Sequence, residues 1–250
     1  MTQFLISIMD ITPLSDSLSG DKALYDKAFK LVPGYRQQKI CNLKNDAAKC
    51  RSLAAGLLLN YTTHAFISGS VTGSLADNTP LAKKLPFPVT VSDAASTYMQ
   101  EYDYETACGA NGKPYFKDHA DLHFNLSHSG NFAVCIVAGM PCGIDVEGNR
   151  PFKPSVAKRF FSETEYHWIY DTENVSVQAE RFFRLWTLKE AYAKATGNGI
   201  AAEIYAASYI PDTDSDGLCF ADSETAAHFQ IKEAEYNGLR IAAVLSDSAF

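Results

Sequence analysis

Clustered cations and long apolar runs are both missing from this chain. Among its 250 residues, 22 Lys and Arg face 29 Asp and Glu, which gives a formal net charge of −7. Non-specific binding to a phosphate backbone depends on clustered Lys and Arg, so nucleic acid is not an expected partner. No stretch approaches the roughly 20 apolar residues that span a bilayer, so no membrane partner is expected either.

Paired cysteines are also missing. The six cysteines include no Cys-x-x-Cys pair, and Cys135 lies in an apolar run where a buried thiol is expected. Residues 4–8 are apolar, but no basic residue precedes them and Asp10 follows closely, unlike in a signal peptide. These features predict a protein of the reducing cytoplasm. Hydrophobic residues make up 46% of the chain, enough for one large or two small domains.

Two segments of similar make-up follow one another along the chain. Each is predicted to run from a strand through helices to paired strands, and the apolar runs 132–137 and 241–245 close the two series. This repetition predicts a duplicated α+β unit. The boundary is expected near residue 140, which gives domains 1–140 and 141–250.

Local patterns place the main elements. Long helices are predicted at 46–61 and at 177–196, the second ended by Gly197. Residues 68–92 are rich in Ser, Thr, Pro and Gly and are expected to form a loop. The remaining strands are predicted by their β-rich composition. They are 4–11, 124–126, 132–138, 144–146, 204–210, 218–221, 228–231 and 239–245, with 127–130 as the turn of a hairpin.

The run Gly-Ile-Asp-Val-Glu at 143–147 carries two carboxylates. Asp145 and Glu147 alternate along a β-type segment, so both leave the same face of one strand. Taken alone, they would be read as polar positions at a strand end. Like charges this close repel unless a cation intervenes, and hard oxygen ligands select Mg²⁺ over softer metals.

A predicted helix can supply a third carboxylate. Trp186, Glu190 and Lys194 are spaced by four and share one stripe of that helix, which brings a carboxylate and an ammonium group together. The plain alternative is an exposed Glu–Lys pair. Lys189 points elsewhere and is expected at the surface.

Six motifs occur in a fixed order along the chain. They are 46–59 around Arg51, Asn-Gly-Lys-Pro-Tyr at 111–115, Phe-Asn-Leu-Ser-His-Ser at 124–129, 143–147, Phe-Phe-Ser-Glu-Thr-Glu at 160–165, and 186–194. In this order the chain resembles the 4′-phosphopantetheinyl transferases of the surfactin-synthetase-activating type. Those enzymes move phosphopantetheine from coenzyme A onto a serine of a carrier protein.

The resemblance assigns roles to particular residues. Asp145, Glu147 and Glu190 correspond to Mg²⁺ ligands, and Mn²⁺ is expected to substitute. Lys194 corresponds to a lysine beside the pyrophosphate of coenzyme A, and Asp145, Glu190 and Lys194 form the catalytic set. The positions that correspond to coenzyme A contacts are Arg51, Lys113, Ser127 and His128 at the 3′-phosphate, with Gly112 and Pro114 near the adenosine.

The resemblance also implies an architecture and a reaction. Two halves related by a pseudo-two-fold would each carry a small antiparallel sheet on a long helix, with the active site in the cleft between them. The first half would contact coenzyme A, and the second would hold Mg²⁺. Glu190, or a water near it, would take the proton of the serine, and adenosine 3′,5′-bisphosphate would leave. The expected partners are apo acyl or peptidyl carriers of fatty-acid, peptide or polyketide synthesis, and the enzyme would be a monomer.

Several alternatives stay open. An inactive homologue that binds coenzyme A or a carrier protein would keep the fold without turnover. His119 and His123 are four apart, as helical zinc ligands of a hydrolase can be, although a strand at His123 would break that register. Glu165 is either a helper in the active site or a helix-start residue near Ser162. Asn111 stands where the family often has tyrosine, which leaves an adenine contact there open.

Overall fold

The computed structural model describes residues 4–69, 86–97, 104–109, 111–148, 150–199 and 203–247. The chain divides into two compact units. The first comprises residues 1–107 and 114–139, and the second comprises residues 108–113 and 140–250. None of the helices in these described ranges is long and apolar enough to cross a membrane.

The helices and strands follow in chain order. The helices are α1 (Thr12–Ser19), α2 (Ala23–Leu31), α3 (Gly34–Cys41), α4 (Asp46–Ser68), α5 (Val91–Thr97), α6 (Pro154–Phe160), α7 (Glu163–Tyr170), α8 (Val175–Thr196) and α9 (Ser223–His228). The strands are β1 (Phe4–Asp10), β2 (Phe87–Val89), β3 (Thr106–Cys108), β4 (Pro114–Phe116), β5 (His123–Ser129), β6 (Phe132–Ala138), β7 (Cys142–Gly148), β8 (Tyr209–Pro211), β9 (Leu218–Phe220), β10 (Phe229–Tyr236) and β11 (Leu239–Ser246).

The first unit is built on a four-stranded sheet with the order β2-β1-β6-β5. Helix α4 packs on this sheet and buries Leu53, Leu57 and Leu58, which recur at helical spacing. Asn45 caps the helix by accepting from the amide of Ala48 at 2.7 Å. Strand β2 runs parallel to β1, so this sheet is mixed and not wholly antiparallel as predicted.

The second unit has a three-stranded antiparallel sheet with the order β10-β11-β7. Helix α8 packs on β7 and β11. The side chain of Asn174 accepts from the amides of Ser176 and Val177 at the start of this helix. Gly197, with φ of +76°, ends it in the left-handed conformation that favours glycine. Both long helices therefore begin at a capping asparagine, and α8 ends at a glycine.

Some element boundaries differ from the predicted ones. Helix α4 continues to Ser68, and Thr62, Thr63 and Ala65 are still buried beyond residue 61. Ser127, His128 and Ser129 belong to β5, and Gly130, with φ of +54°, begins the turn to β6. The predicted loop at 68–92 contains β2 and the start of α5, and its residues 70–85 lie outside the described residues.

Residues 204–208 do not form the predicted strand, and β8 covers only Tyr209–Pro211. The carbonyls of Ile204 and Ala207 accept hydrogen bonds from the ammonium group of Lys189 and not from a neighbouring strand. The α+β class, with small sheets and helices, is confirmed. The pseudo-two-fold and a site between the halves stay predictions.

Candidate functional site

Strand β7 and helix α8 approach each other closely at Gly143. A Cβ atom at this glycine would lie 2.1 Å from the carbonyl oxygen of Ala191 and 2.3 Å from the amide nitrogen of Ala195. Both atoms are helix backbone, which cannot rotate away as a side chain can. The absence of a side chain at Gly143 therefore lets α8 lie directly against the strand, two residues before Asp145.

Asp145 points toward α8 and pairs with Lys194. Side chains alternate along β7, so Gly143, Asp145 and Glu147 share the face that meets the helix. The Lys194 ammonium donates to Asp145 Oδ1 at 2.6 Å and to the Ile144 carbonyl at 3.1 Å. Asp145 is only 5% exposed. A buried carboxylate is thus held beside a lysine of the neighbouring helix.

Glu147 lies further along the same face and pairs with Arg150. One guanidinium nitrogen of Arg150 donates to Glu147 Oε2 at 2.7 Å. This contact with Glu147 raises the pKa of the Arg150 guanidinium. Within the described ranges, Asp145 thus pairs with the cation of Lys194 and Glu147 with that of Arg150.

Glu190 faces the same volume from α8. Burial raises the pKa of its carboxyl, and the nearby charge of Asp145 adds to that rise, as does Glu147 more weakly. Lys194 acts in the opposite direction. The three carboxylates are therefore close enough to repel one another.

The donor set fits a hard divalent cation, because three carboxylates converge and their mutual repulsion would be relieved by one. Among the described residues, no group of three or more His, Cys, Asp or Glu side chains is placed as a metal site. The carboxylates of Asp145 and Glu147 are instead turned toward Lys194 and Arg150. Each of these contacts uses one oxygen of its carboxylate, Oδ1 of Asp145 and Oε2 of Glu147, so the cations would compete with a metal for the same charge.

Lys113 belongs to the second unit, where it contacts the end of α8. Its ammonium donates to the carbonyl of Ala195 at 2.6 Å and to that of Cys142 at 3.2 Å. Burial lowers the pKa of Lys113. A cation at the last turn of a helix satisfies carbonyls that have no partner within the helix.

The other residues expected at the phosphate of coenzyme A lie in the first unit. Arg51 is half-buried on α4, whereas Ser127 and His128 are neighbours on β5, with His128 exposed. Gly112 has φ of +79° in the turn between β3 and β4, and Pro114 begins β4. These residues thus come from several different elements, and their joint action on one ligand stays a prediction.

Lys189 is buried, which corrects the expectation that it lies at the surface. It is 2% exposed and pairs with Glu165, which is 0% exposed, at 3.2 Å. Its ammonium also donates to the carbonyls of Ile204 at 3.0 Å and Ala207 at 2.7 Å. Burial lowers the pKa of Lys189, and Glu165 opposes that effect. The pair ties α8 to α7 and to the segment before β8.

The position of Glu165 favours the helix-start interpretation. Its Oε2 accepts from the amide of Ser162 at 2.7 Å, and the Ser162 hydroxyl accepts from the amide of Glu165, which completes a capping box. Its Oε1 accepts from the amide of Tyr209 at 3.0 Å. Both oxygens are thus used in holding the fold around α8.

We expect Lys189→Met to lower the melting temperature by about 6 °C or more. Removing one partner of a buried ion pair leaves the other charge buried without compensation, at a cost of about 3 kcal/mol. Differential scanning calorimetry would measure the shift. Lys158→Met is the matched control, since Lys158 is an exposed lysine on α6. Glu165→Gln combined with Lys189→Met should lose less than the sum of the single changes. A strictly additive loss would contradict the pairing.

The two histidines of the zinc alternative do not share a helix. His123 begins β5, as the sequence favoured. The ring of His119 packs edge-on against Tyr104, with ring centroids 5.4 Å apart. Helical zinc ligands at these two positions are therefore not formed, and the hydrolase alternative loses its basis.

Two features of the site are absent from the sequence predictions. The pairing of Arg150 with Glu147 could have been noticed from their spacing of three and their opposite charges. The close approach at Gly143 has no signal of its own, because a glycine before a strand carboxylate is equally compatible with a turn.

The match to a known protein family lies in the second unit. Residues 141–244 match the family model described as the 4′-phosphopantetheinyl transferase superfamily. The 4′-phosphopantetheinyl transferase Sfp of Bacillus subtilis (strain 168) is 41% identical over 90 residues, which are 36% of this chain and 40% of that protein. The 4′-phosphopantetheinyl transferase HetI of Nostoc sp. is 46% identical over 107 residues, 40% of this chain and 43% of its own.

A longer alignment is found with the 4′-phosphopantetheinyl transferase AcpT of Salmonella typhimurium. It is 33% identical over 126 residues, which cover 49% of this chain and 65% of that protein. The chain thus spans about two-fifths of the length of the Bacillus and Nostoc relatives. Every carboxylate and cation of the site on β7 and α8 falls inside the matched residues 141–244.

Proposed function

We propose, from the match of residues 141–244 to the 4′-phosphopantetheinyl transferase superfamily, that this protein is a magnesium-dependent phosphopantetheinyl transferase. It would move the phosphopantetheine arm of coenzyme A to a serine of an apo carrier protein and release adenosine 3′,5′-bisphosphate. The observation that carries the proposal is the convergence of Asp145, Glu147, Glu190 and Lys194 where β7 meets α8.

The residues at this junction divide the work between them. Asp145, Glu147 and Glu190 would hold Mg²⁺, and Mn²⁺ should substitute because both ions accept octahedral oxygen ligands. When bound, the ion would neutralise the pyrophosphate of coenzyme A. Glu190, or a water that it holds, removes the proton of the carrier serine. Lys194 donates to the leaving phosphate once it exchanges Asp145 for that group.

The 3′-phosphate of coenzyme A would be recognised by Arg51, Lys113, Ser127 and His128. Cations with hydroxyl and imidazole donors match a phosphate dianion. The Lys113 ammonium has three N–H donors and uses two of them on carbonyls, so the third would be directed at the phosphate. Gly112 and Pro114 would shape the turn beside the adenosine, because a glycine at positive φ leaves room for close approach to the backbone.

We also infer that the two units descend from one duplicated α+β element. The first consists of a sheet on α4 and the second of a sheet on α8, and both helices begin at an asparagine cap and end at a left-handed glycine. In this arrangement Arg51, Ser127 and His128 of the first unit would contact coenzyme A together with Gly112 and Lys113 of the second, which would also supply the metal ligands. A duplicated protein of this kind would act as a monomer.

The carrier protein would dock at the start of α8. A groove of about 510 Å³ lies here, with apolar walls formed by Pro151, Phe152, Pro154 and Val175. Val175 is 71% exposed, which is unusual for an apolar residue at a helix start. The buried hydroxyl of Tyr170, on the groove wall, has no hydrogen-bond partner within the described ranges. The groove therefore offers a partner apolar contacts together with the polar side chains of Arg150, Ser176 and Gln178.

Arg150 is the only charged residue among those described as lining the groove, and its positive charge suits an acidic carrier. Residues 150–159 carry four cations and no acid, although the chain as a whole is acidic. The four are Arg150, Lys153, Lys158 and Arg159. A local basic segment beside an apolar groove combines attraction with contact area, as specific interfaces do.

We expect Val175→Glu to raise the KM for an apo carrier by about tenfold and to leave the KM for coenzyme A unchanged. The substitution places a charge in an apolar contact and repels an acidic partner. Steady-state kinetics with each substrate varied in turn would measure the effect. Ile67→Glu is the matched control, since Ile67 is an exposed apolar residue of α4. An equal change in both KM values would remove Val175 from the carrier interface.

Intact-protein mass spectrometry would test the reaction itself. The protein is incubated with coenzyme A, Mg²⁺ and a panel of apo acyl and peptidyl carriers. The expected result is a carrier mass increased by the phosphopantetheine arm, lost in excess EDTA and reduced when dephospho-coenzyme A replaces coenzyme A. Binding of coenzyme A or a carrier with no mass change on any carrier would favour the inactive homologue.

A further inference from the structure

Arg150 forms an ion pair with Glu147, and the proposed reaction gives Arg150 no role. We propose that Arg150 is a tethered counter-ion that exchanges with the divalent cation at Glu147, as Lys194 does at Asp145. This inference rests on the proposed magnesium site and adds a residue that controls access to it. Its support comes from three observations in the second unit, namely the ion pairs, their charges and the surroundings of Arg150.

The first observation is the pairing itself. A guanidinium nitrogen of Arg150 lies 2.7 Å from Glu147 Oε2 and 3.4 Å from the carbonyl of Gly148. Arg150 takes up Oε2 of Glu147, and its positive charge repels a second cation at either oxygen of that carboxylate, so a bound metal and the guanidinium compete for Glu147. Glu147 is itself only 17% exposed, which limits the room for both cations at once.

The second observation is the charge at the junction. Asp145, Glu147 and Glu190 supply three negative charges when ionised, and Lys194 and Arg150 supply two positive charges. One divalent cation carries the same charge as those two side chains. An exchange of both side chains for one Mg²⁺ therefore leaves the charge among the carboxylates unchanged. The exchange also frees the charges of Lys194 and Arg150 to contact other anions.

The third observation is that the Arg150 guanidinium also contacts an aromatic ring. Its guanidinium carbon lies 4.6 Å from the ring centroid of Phe183 on α8, a distance at which a cation and a ring attract. Arg150 also lines the groove at the start of α8. A guanidinium released from Glu147 would keep its contact with that ring and stay exposed to water. Its release is therefore less costly than the release of an arginine that has no second contact.

Binding of Mn²⁺ alone, followed through the electron paramagnetic resonance signal of the free ion, tests the exchange without turnover. We expect Arg150→Gln to tighten Mn²⁺ binding about threefold or more, because the competing cation is gone. Arg150→Lys keeps the charge and should stay nearer the wild type. In a Glu147→Gln background the Arg150→Gln change should lose its effect, because the carboxylate for which the two cations compete is absent.

Lys153→Gln is the matched control. Lys153 precedes α6 and is exposed, so its removal changes the local charge without breaking the pair with Glu147. The proposal is overturned if Arg150→Gln binds Mn²⁺ no more tightly than the wild type, or if Lys153→Gln tightens binding equally. Absence of Mn²⁺ binding in the wild type and in every variant would overturn the proposed metal site together with the exchange.

Discussion

Gly143→Ala should remove most of the stability of the second unit and, with it, the activity. The added methyl group would lie 2.1 Å from the Ala191 carbonyl oxygen and 2.3 Å from the Ala195 amide. Real Cβ atoms do not approach backbone this closely, so α8 must move away from β7. We expect a loss of about 4 kcal/mol or more, since the whole helix has to shift to accommodate the change.

Chemical denaturation followed by far-ultraviolet circular dichroism would measure that loss. Gly139→Ala is the matched control, because no atom lies within 4 Å of a Cβ there and its φ is not in the left-handed range. The same pair of variants can be compared for Mn²⁺ affinity at low temperature, where both are folded. A Gly143→Ala protein with wild-type stability and Mn²⁺ affinity would show that α8 does not pack directly against β7 at Gly143.

Asp145→Asn should lower kcat by two to three orders of magnitude. The amide keeps the size of the side chain but removes the charge that would hold the metal, and it leaves Lys194 without its carboxylate partner. Groups that stabilise charge in a transition state typically contribute effects of about this size. Single-turnover measurement of carrier modification at saturating Mg²⁺ would separate this effect from weakened metal binding.

Asp171→Asn is the control for that experiment. Asp171 makes the same kind of ion pair, with Arg181, but it lies at the end of α7 and is more than half exposed. The control should retain wild-type kcat. If Asp145→Asn also retained kcat in single turnovers, Asp145 would have no part in the chemistry. The proposed site would then rest on Glu147 and Glu190.

The elements with local signals were predictable from the sequence. The apolar stripe marked α4 and Gly197 marked the end of α8, and the alternation of side chains along β7 was enough to place Asp145 and Glu147 on one face. The apolar runs marked β6 and β11. These patterns depend on the geometry of one helix or one strand, which the chain determines over a few neighbouring residues.

The rest depends on contacts between distant segments. The parallel pairing of β2 with β1 joins residues separated by most of the first unit. The burial of Lys189 follows from Glu165 and from two carbonyls of the segment before β8. In the sequence Lys189 is simply a lysine next to Glu190, and no local pattern shows that its ammonium has buried acceptors. The joint binding of coenzyme A by residues of both units stays a prediction for the same reason.

Helix α8 has a consequence for engineering this protein. The groove lies at its first turn, whereas Glu190 follows Val175 by about 22 Å along the axis at 1.5 Å per residue. If the carrier docks in this groove as proposed, the first turn can be redesigned for a new carrier while the turns around Glu190 keep their packing on β7. On the proposed assignments, partner choice and chemistry would lie on separate stretches of one helix, so a library of variants at Val175, Ser176, Gln178 and Ala179 would sample specificity while leaving Arg150 and the carboxylates unchanged.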